Sequence, residues 1–380
     1  MATLSAGHLF TDVSQGAVAA LVPFLVAERG LSLAAAGSLV LAATVSSSIV
    51  QPLFGYFSDR KALPALMPLG VMFGGLGISL VGVAPSYPLI LLCTVLSGLG
   101  VAAFHPESAR FANYVSGSRR ARGMSFFSVG GNAGFALGPV ISTPLVLYFG
   151  LSGTLFLALP ALLMGIVLFY ELPRLVSFRP EAAATDEKGP KAQENWWPFG
   201  RMVMVVAIRS FVYFGLVTFV AEYYIRELET SPALANTALS VMLFAGAVGT
   251  LVMGPLADRI GRRAVLAGAM FMLSPLIYAF TLSGPLPGMV FLAFVGAATI
   301  GTFGVTVVMG QEYLPGRIGV AAGVTLGLSI GLGGVGAPIF GAIADNYGLS
   351  TMMLTLAALP LVGLALTLSL PRRATETPGP

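Results

Sequence analysis

Three short runs in this chain carry the side chains that could move a proton or hold an anion. In the first, His8, Asp12 and Gln15 fall at i, i+4 and i+7, so a helix presents all three on one face. The second is Phe104-His105-Pro106-Glu107, followed by Arg110, and the third is centred on Arg209. Carboxylates and imidazoles take up and release protons, imidazole near neutral pH. A guanidinium stays charged, and its planar fork matches carboxylate and phosphate oxygens. All of these groups lie inside long apolar stretches, where an ionisable side chain is costly and marks a functional position.

Not every member reads as functional. Glu107 and Arg110, at i and i+3, are spaced to neutralise each other as a buried pair. His8 lies near the start of its stretch and reads as an interfacial residue. His105 differs, because Pro106 removes the amide that would bond the Ala102 carbonyl, leaving a kink and a free acceptor beside a titratable ring. The candidate proton carriers are therefore Asp12, His105 and Glu107, with Arg110 coupled to them. Arg209 is the first candidate for an anion, ahead of Arg110, which Glu107 occupies. Gln15, Asn132, Tyr213, Thr302 and Thr306 offer polar support.

The elements that position these residues are membrane helices. Of 380 residues, 56% are hydrophobic and only 9% charged, against roughly a quarter charged in soluble chains. Apolar stretches of about twenty residues recur throughout, each able to cross a hydrocarbon core ~30 Å thick. Broken at polar or Gly/Pro positions, they give twelve helices over 4–27, 33–57, 64–83, 87–113, 120–148, 152–170, 199–225, 233–257, 264–283, 286–311, 318–343 and 349–370. The first has no basic leader and no cleavage site, which marks a retained helix and not a signal peptide. Cys93 is the only cysteine, which excludes disulfides and cysteine-ligated metals. No metal or cofactor is expected, and the net charge of +4 is a topology signal with no nucleic acid implied.

In the twelve-span reading, sixteen Lys and Arg fall on one side of the membrane and only Arg29 and Arg226 on the other; Arg110 and Arg209 lie within spans. By the positive-inside rule both termini are cytoplasmic. At 1.5 Å of rise per residue, Asp12, His105 and Arg209 each lie roughly 12–14 Å in from the cytoplasmic end of their helices. That shared depth, just inside the midplane, is where transporters of this build bind substrate.

A pattern also repeats at a fixed shift of 199 residues. Gly55-x-x-x-Asp59-Arg60 returns as Gly254-x-x-x-Asp258-Arg259, and Gly134-x-x-x-Gly138-Pro139 returns as Gly333-x-x-x-Ala337-Pro338. The shift divides the chain into a six-helix bundle over 1–170, a linker over 171–198, a second bundle over 199–371 and a tail over 372–380. The linker is rich in Ala, Pro, Glu and Lys and lacks periodicity, and Trp196 and Trp197 at its end suit a membrane interface. His105 maps onto Gly304, Glu107 onto Thr306 and Asp12 onto Phe211, so the repeat keeps its hinges and not its charges.

The paired Gly-x-x-x-Asp-Arg loop, completed by Gly261, Arg262 and Arg263 in the second copy, resembles the hallmark of the major facilitator superfamily. The resemblance implies a gate that holds the cytoplasmic side shut in one state, with Gly55, Asp59, Arg60, Gly254, Asp258, Arg259, Arg262 and Arg263 as its residues; the first copy is truncated, with Ala62-Leu63-Pro64 following. The stripe Gly130, Gly134, Gly138 lets two helix backbones approach closely, and with Pro139 it resembles the superfamily motif associated with antiporters. The run from Phe104 to Arg110, Gly7-His8-x-Phe10-x-Asp12, Gln51-Pro52-Leu53, Gln311-Glu312, Leu314-Pro315-Gly316-Arg317 and Gly341-Ala342-Ile343-Ala344-Asp345 are similar to the fosmidomycin-resistance branch, over nearly all the chain. That resemblance implies a monomeric bacterial inner-membrane antiporter that exports a small phosphonate drug or related anion against protons. An uptake symporter or facilitator for a sugar or organic acid on the same scaffold is the alternative, since fold alone does not set substrate. An intramembrane enzyme is disfavoured: neither His-Glu-x-x-His nor Gly-x-Ser-x-Gly occurs.

Overall fold

A computed structural model describes residues 1–51, 53–54, 63–117, 120–178, 194–315, 317, 321 and 323–371. The described residues form α1 (Ala2–Arg29), α2 (Leu33–Ser48), α3 (Leu66–Leu80), α4 (Tyr87–Ser116), α5 (Arg120–Phe149) and α6 (Ala158–Val176). The second half forms α7 (Trp196–Arg226), α8 (Pro232–Ile260), α9 (Arg262–Thr281), α10 (Pro285–Gly301, resuming after Thr302 as Phe303–Tyr313), α11 (Ser329–Tyr347) and α12 (Leu349–Leu368). Among the described residues this is the all-helical, twelve-span architecture expected. Eight segments are long and apolar enough to cross a membrane core, α5 and α6 counting as one continuous run, while α2 and α3 are shorter apolar helices.

Local differences from the expected spans have identifiable causes. A 3-10 segment, Gly150–Leu157, replaces the first turns of the sixth span, and α6 then continues through Val176. It opens at Gly150, whose φ of 63° turns the chain sharply after α5. The eleventh span opens as a π-helical turn, Gly323–Leu328, before α11 proper. The chain turns from α1 into α2 through Gly30 at φ 62°, a left-handed helix stop. Ser32 then caps α2 by accepting from the Ala35 N–H, and Ser231, 199 residues on, caps α8 by accepting from the Leu234 N–H. The internal repeat thus extends to a helix cap, worth about 1 kcal/mol.

Helices alternate in direction, so α1 begins and α12 ends on one face of the bundle, here the N-terminal face. Arg201 Nη1 donates to the Ser369 carbonyl at 3.0 Å, and Arg263 donates to the carbonyls of Thr367 and Leu368, tying the starts of α7 and α9 to that end. Within the first half α1 runs along α5, and the glycine stripe makes this possible. A Cβ on Gly130, Gly134 or Gly138 would lie 2.3, 2.1 or 2.4 Å from backbone atoms of Ser5, Leu9 or Gly16. In the second half Gly333 of α11 abuts Ser210 and Phe214 of α7 in the same relation. Between halves, α2 packs on α11 and α5 on α8, while α1 approaches α7 at the centre.

The cores of the two halves merge only away from the N-terminal face. One apolar cluster joins Ala17–Ala43, Ile78–Ile90 and Ala136–Leu157 to core residues along the second half. The rest of the first half, including Leu4, Met67, Phe104, Phe111, Phe127 and Leu168, forms a separate cluster beside the N-terminal face. Cross-half hydrogen bonds follow the same division. At the far face, Asp345 at the end of α11 accepts from the Leu33 and Ala34 N–H groups of α2, both at 2.9 Å, and Asn236 of α8 donates to the Ala20 carbonyl at 3.3 Å.

Candidate functional site

His8, Asp12 and His105 converge where α1, α4 and α5 meet. His8 Nε2 lies 3.1 Å from His105 Nε2 and 3.3 Å from Asp12 Oδ2, while His105 Nε2 lies 3.3 Å from Asp12 Oδ1. Each ring is pinned from behind, His8 by its Nδ1 on the Phe127 carbonyl and His105 by its Nδ1 on the Val101 carbonyl, both at 2.8 Å. The His8 ring also stacks on Phe127, with centroids 4.1 Å apart. His8 is only 8% exposed, so the interfacial reading of this residue is corrected: it lies inside the cluster. Its i, i+4 spacing to Asp12 was the available signal.

Gly131 of α5 completes this site, and sequence reasoning missed it. A Cβ there would stand 2.4 Å from His8 Nε2 and 2.7 Å from Asp12 Oδ2, so only glycine leaves the cluster its space. Glu107, two residues beyond His105, is fully buried, and both its oxygens accept from Arg110 Nη2, at 2.7 and 2.5 Å. The pairing expected from their spacing is therefore present.

Arg209 occupies the corresponding depth in the second half. Its guanidinium is fully buried, lies 3.6 Å over the Phe303 ring and donates one bond, from Nη1 to the Thr299 carbonyl at 2.9 Å. Neither Nε nor Nη2 has a partner, and no carboxylate pairs with it among the described residues. The interruption of α10 at Thr302 puts the Thr299 carbonyl within reach of the guanidinium. Thr302 and Thr306 are fully buried beside that break, and their hydroxyls donate to carbonyls of their own helix. Tyr213, one turn beyond Arg209, stands edge-on to Phe303 and touches Phe135 of the first half. That ring contact puts it at the seam between the two halves. Gln15 and Asn132 are half-buried on α1 and α5.

The gating candidates of the second loop lie at the end of α8 and the start of α9. Gly55, Asp59 and Arg60 fall outside the described residues. In the second loop Arg262 pairs with Glu312 and lies 3.5 Å from Asp258, whose side chain is 72% exposed. Gly254 and Arg259 lie beside them at the end of α8, and Arg263 holds the end of α12. Gly134 and Gly138 face α1, with Pro139 next to them in α5.

Comparison with known proteins agrees with the architecture. The chain matches the Major Facilitator Superfamily over residues 4–225 and 202–380. It is 34% identical to the fosmidomycin resistance protein of Escherichia coli (strain K12), covering 98% of this chain and 92% of that protein. It is 33% identical to the uncharacterized MFS-type transporter YfnC of Bacillus subtilis (strain 168), covering 94% and 89% respectively. Among solved structures, a bacterial homolog of the human lysosomal transporter Spinster superposes with a TM-score of 0.77 at 16% identity, covering 96% of this chain and 95% of that one. Two six-helix halves, a continuous match to the superfamily and a full-length relative at this identity lead to one conclusion: the chain belongs to the Major Facilitator Superfamily, in the branch of the fosmidomycin resistance protein, and is a multi-pass membrane transporter of small molecules and not an enzyme.

Proposed function

We propose that this protein is a proton-coupled antiporter of the bacterial inner membrane that exports a small phosphonate, fosmidomycin or a related anion, by alternating access. The observation that carries the reading is Arg209, a fully buried guanidinium with two nitrogens unpartnered and no paired carboxylate among the described residues. A buried cation without a counter-charge costs several kcal/mol, and a bound anion removes that cost. A guanidinium suits phosphonate oxygens in particular, because its fork donates two parallel bonds. The relative named for fosmidomycin resistance supports the same substrate class.

Asp12 and His105 carry the proton in this reading, and Tyr213, on the helix of Arg209, meets the first half at Phe135. Glu107 and Arg110 satisfy each other and hold α4 in place. The N-terminal face is cytoplasmic, since among the described residues Arg174, Arg201, Arg259, Arg262, Arg263 and Arg317 lie on it and only Arg29 and Arg226 lie opposite. The far face is then the closed one, and the protein is open to load substrate from the cytoplasm. Proton entry from outside neutralises the cluster, and its release inward accompanies the next loading.

A susceptibility panel tests the reading directly. Cells expressing the protein are expected to tolerate more fosmidomycin than control cells. Arg209→Ala is expected to return them to the control level, with Arg209→Lys in between because an ammonium lacks the bidentate fork. Greater sensitivity on expression would overturn export and favour uptake.

A further inference from the structure

We propose that His8 and His105 form one proton-binding unit, in which a single proton is held between their two Nε2 atoms and Asp12 supplies the counter-charge. The inference deepens the proton-coupled reading above and adds to it His8, which that reading does not use.

The argument rests on which nitrogens can be donors. A backbone carbonyl only accepts, so the Nδ1 atoms 2.8 Å from the Phe127 and Val101 carbonyls must each carry hydrogen. A neutral imidazole has one N–H. With both rings neutral, both Nε2 atoms would be bare lone pairs, 3.1 Å apart. Each would also face an oxygen of Asp12 at 3.3 Å, which accepts but does not donate when ionised. Three acceptors would then converge in a largely buried space, the His105 side chain being 21% exposed, with no protein donor among them, an arrangement costly where the local dielectric is low.

One added proton resolves it. Either ring becomes an imidazolium whose Nε2–H donates to the other Nε2, and the carboxylate balances the charge, so the trio is neutral as a whole. On release, the Nε2–H bond breaks, the proton leaves to water and the electron pair stays on nitrogen. The backbone bonds and the Phe127 stack keep the rings from turning their Nδ1 edges inward, and Gly131 keeps the space open.

Neighbouring charges are few. Glu107 and Arg110 on α4 pair with each other, as do Glu171 and Arg174 on α6, at 3.4 Å. On α5 the only charged residues are Arg120 and Arg122, at its beginning, and α3 has none. From the second half, α7, which carries Arg209 and Tyr213, packs against α1.

The chain has two histidines, and both are in this site, so nitrogen NMR of 15N-histidine-labelled protein in lipid nanodiscs reads it alone. The expected spectrum in the proton-loaded form has Nδ1–H on both rings and one Nε2–H shared between them. Both rings are expected to change together on titration, with one proton released per chain. Two separate titrations, either ring as the Nε2–H tautomer when neutral, or a stoichiometric transition metal in protein purified without chelator would overturn the proposal. A functional arm uses proteoliposomes with a pH-sensitive dye and fosmidomycin as probe: His8→Gln is expected to lose drug-dependent proton movement as His105→Gln does, and full retention in His8→Gln would overturn it. The two readings can fail separately. A shared proton in the spectrum without drug–proton exchange overturns antiport alone, whereas coupled exchange with two independent histidines overturns this proposal alone.

Discussion

Glycine 131 shows how much of this site is decided atom by atom. The added methyl of Gly131→Ala would meet the ends of the His8 and Asp12 side chains, forcing one of them out of the cluster. We expect a loss of roughly 1–3 kcal/mol, the usual range for overpacking a buried site, seen as a lower melting temperature in detergent, together with loss of the shared-proton NMR signature. Gly268→Ala in α9 is the control, since nothing lies within 4 Å of its Cβ. It should gain about 0.5–1 kcal/mol of helix stability; equal destabilisation of both variants would refute a steric role for Gly131. The chemistry-bearing types at this scale were readable in the sequence: Asp12, His105, Glu107, Arg110 and Arg209 were all singled out by being ionisable in apolar runs. What was not readable was their pairing. Depth along a helix follows from counting residues, but whether His8 turns towards His105 or the interface depends on what α5 presents to it.

At the scale of elements, the contact between α11 and α2 is a latch. The Asp345 carboxylate sits on the first amides of α2, where unsatisfied N–H groups and the helix dipole favour a negative charge. Such an interaction is worth about 0.3–2 kcal/mol, enough to shift a two-state equilibrium by a factor of up to roughly thirty. Asp345→Ala is therefore expected to move the population towards a far-face-open state. Spin-label distances across that face, between positions 148 and 347 at exposed tyrosines, would report it as a growing long-distance component. An unchanged distance distribution would count against the latch. The close fit nearby is also backbone on backbone: a Cβ on Gly341 would stand 2.4 Å from the Leu33 carbonyl oxygen. Asp345 was visible within a motif, but its partner was not, because the contact joins residues more than three hundred positions apart.

The whole molecule is two bundles whose cores are joined on one side and separate on the other. That asymmetry is what a rocking transporter needs, since a fully shared core would lock the halves together. The proposed orientation rests on the charge bias between the two faces. A fluorescent protein fused to the C-terminus should fold and fluoresce, as it does only in the cytoplasm, whereas a periplasmic phosphatase fused there should stay inactive; the opposite pair of results would invert the proposed topology and with it the direction of transport.

Composition, the recurrence of twenty-residue apolar runs and the 199-residue repeat were enough to determine a twelve-helix transporter in two halves, because the cost of burying backbone polar groups in lipid leaves a chain this apolar few alternatives. Only the tertiary structure decided that His8 joins Asp12 and His105, that no acid pairs with Arg209 among the described residues, and that the halves are joined at the far face. Those outcomes depend on packing between helices distant in sequence, where a single glycine or carbonyl sets which side chains meet, and no periodicity along one strand of sequence records it.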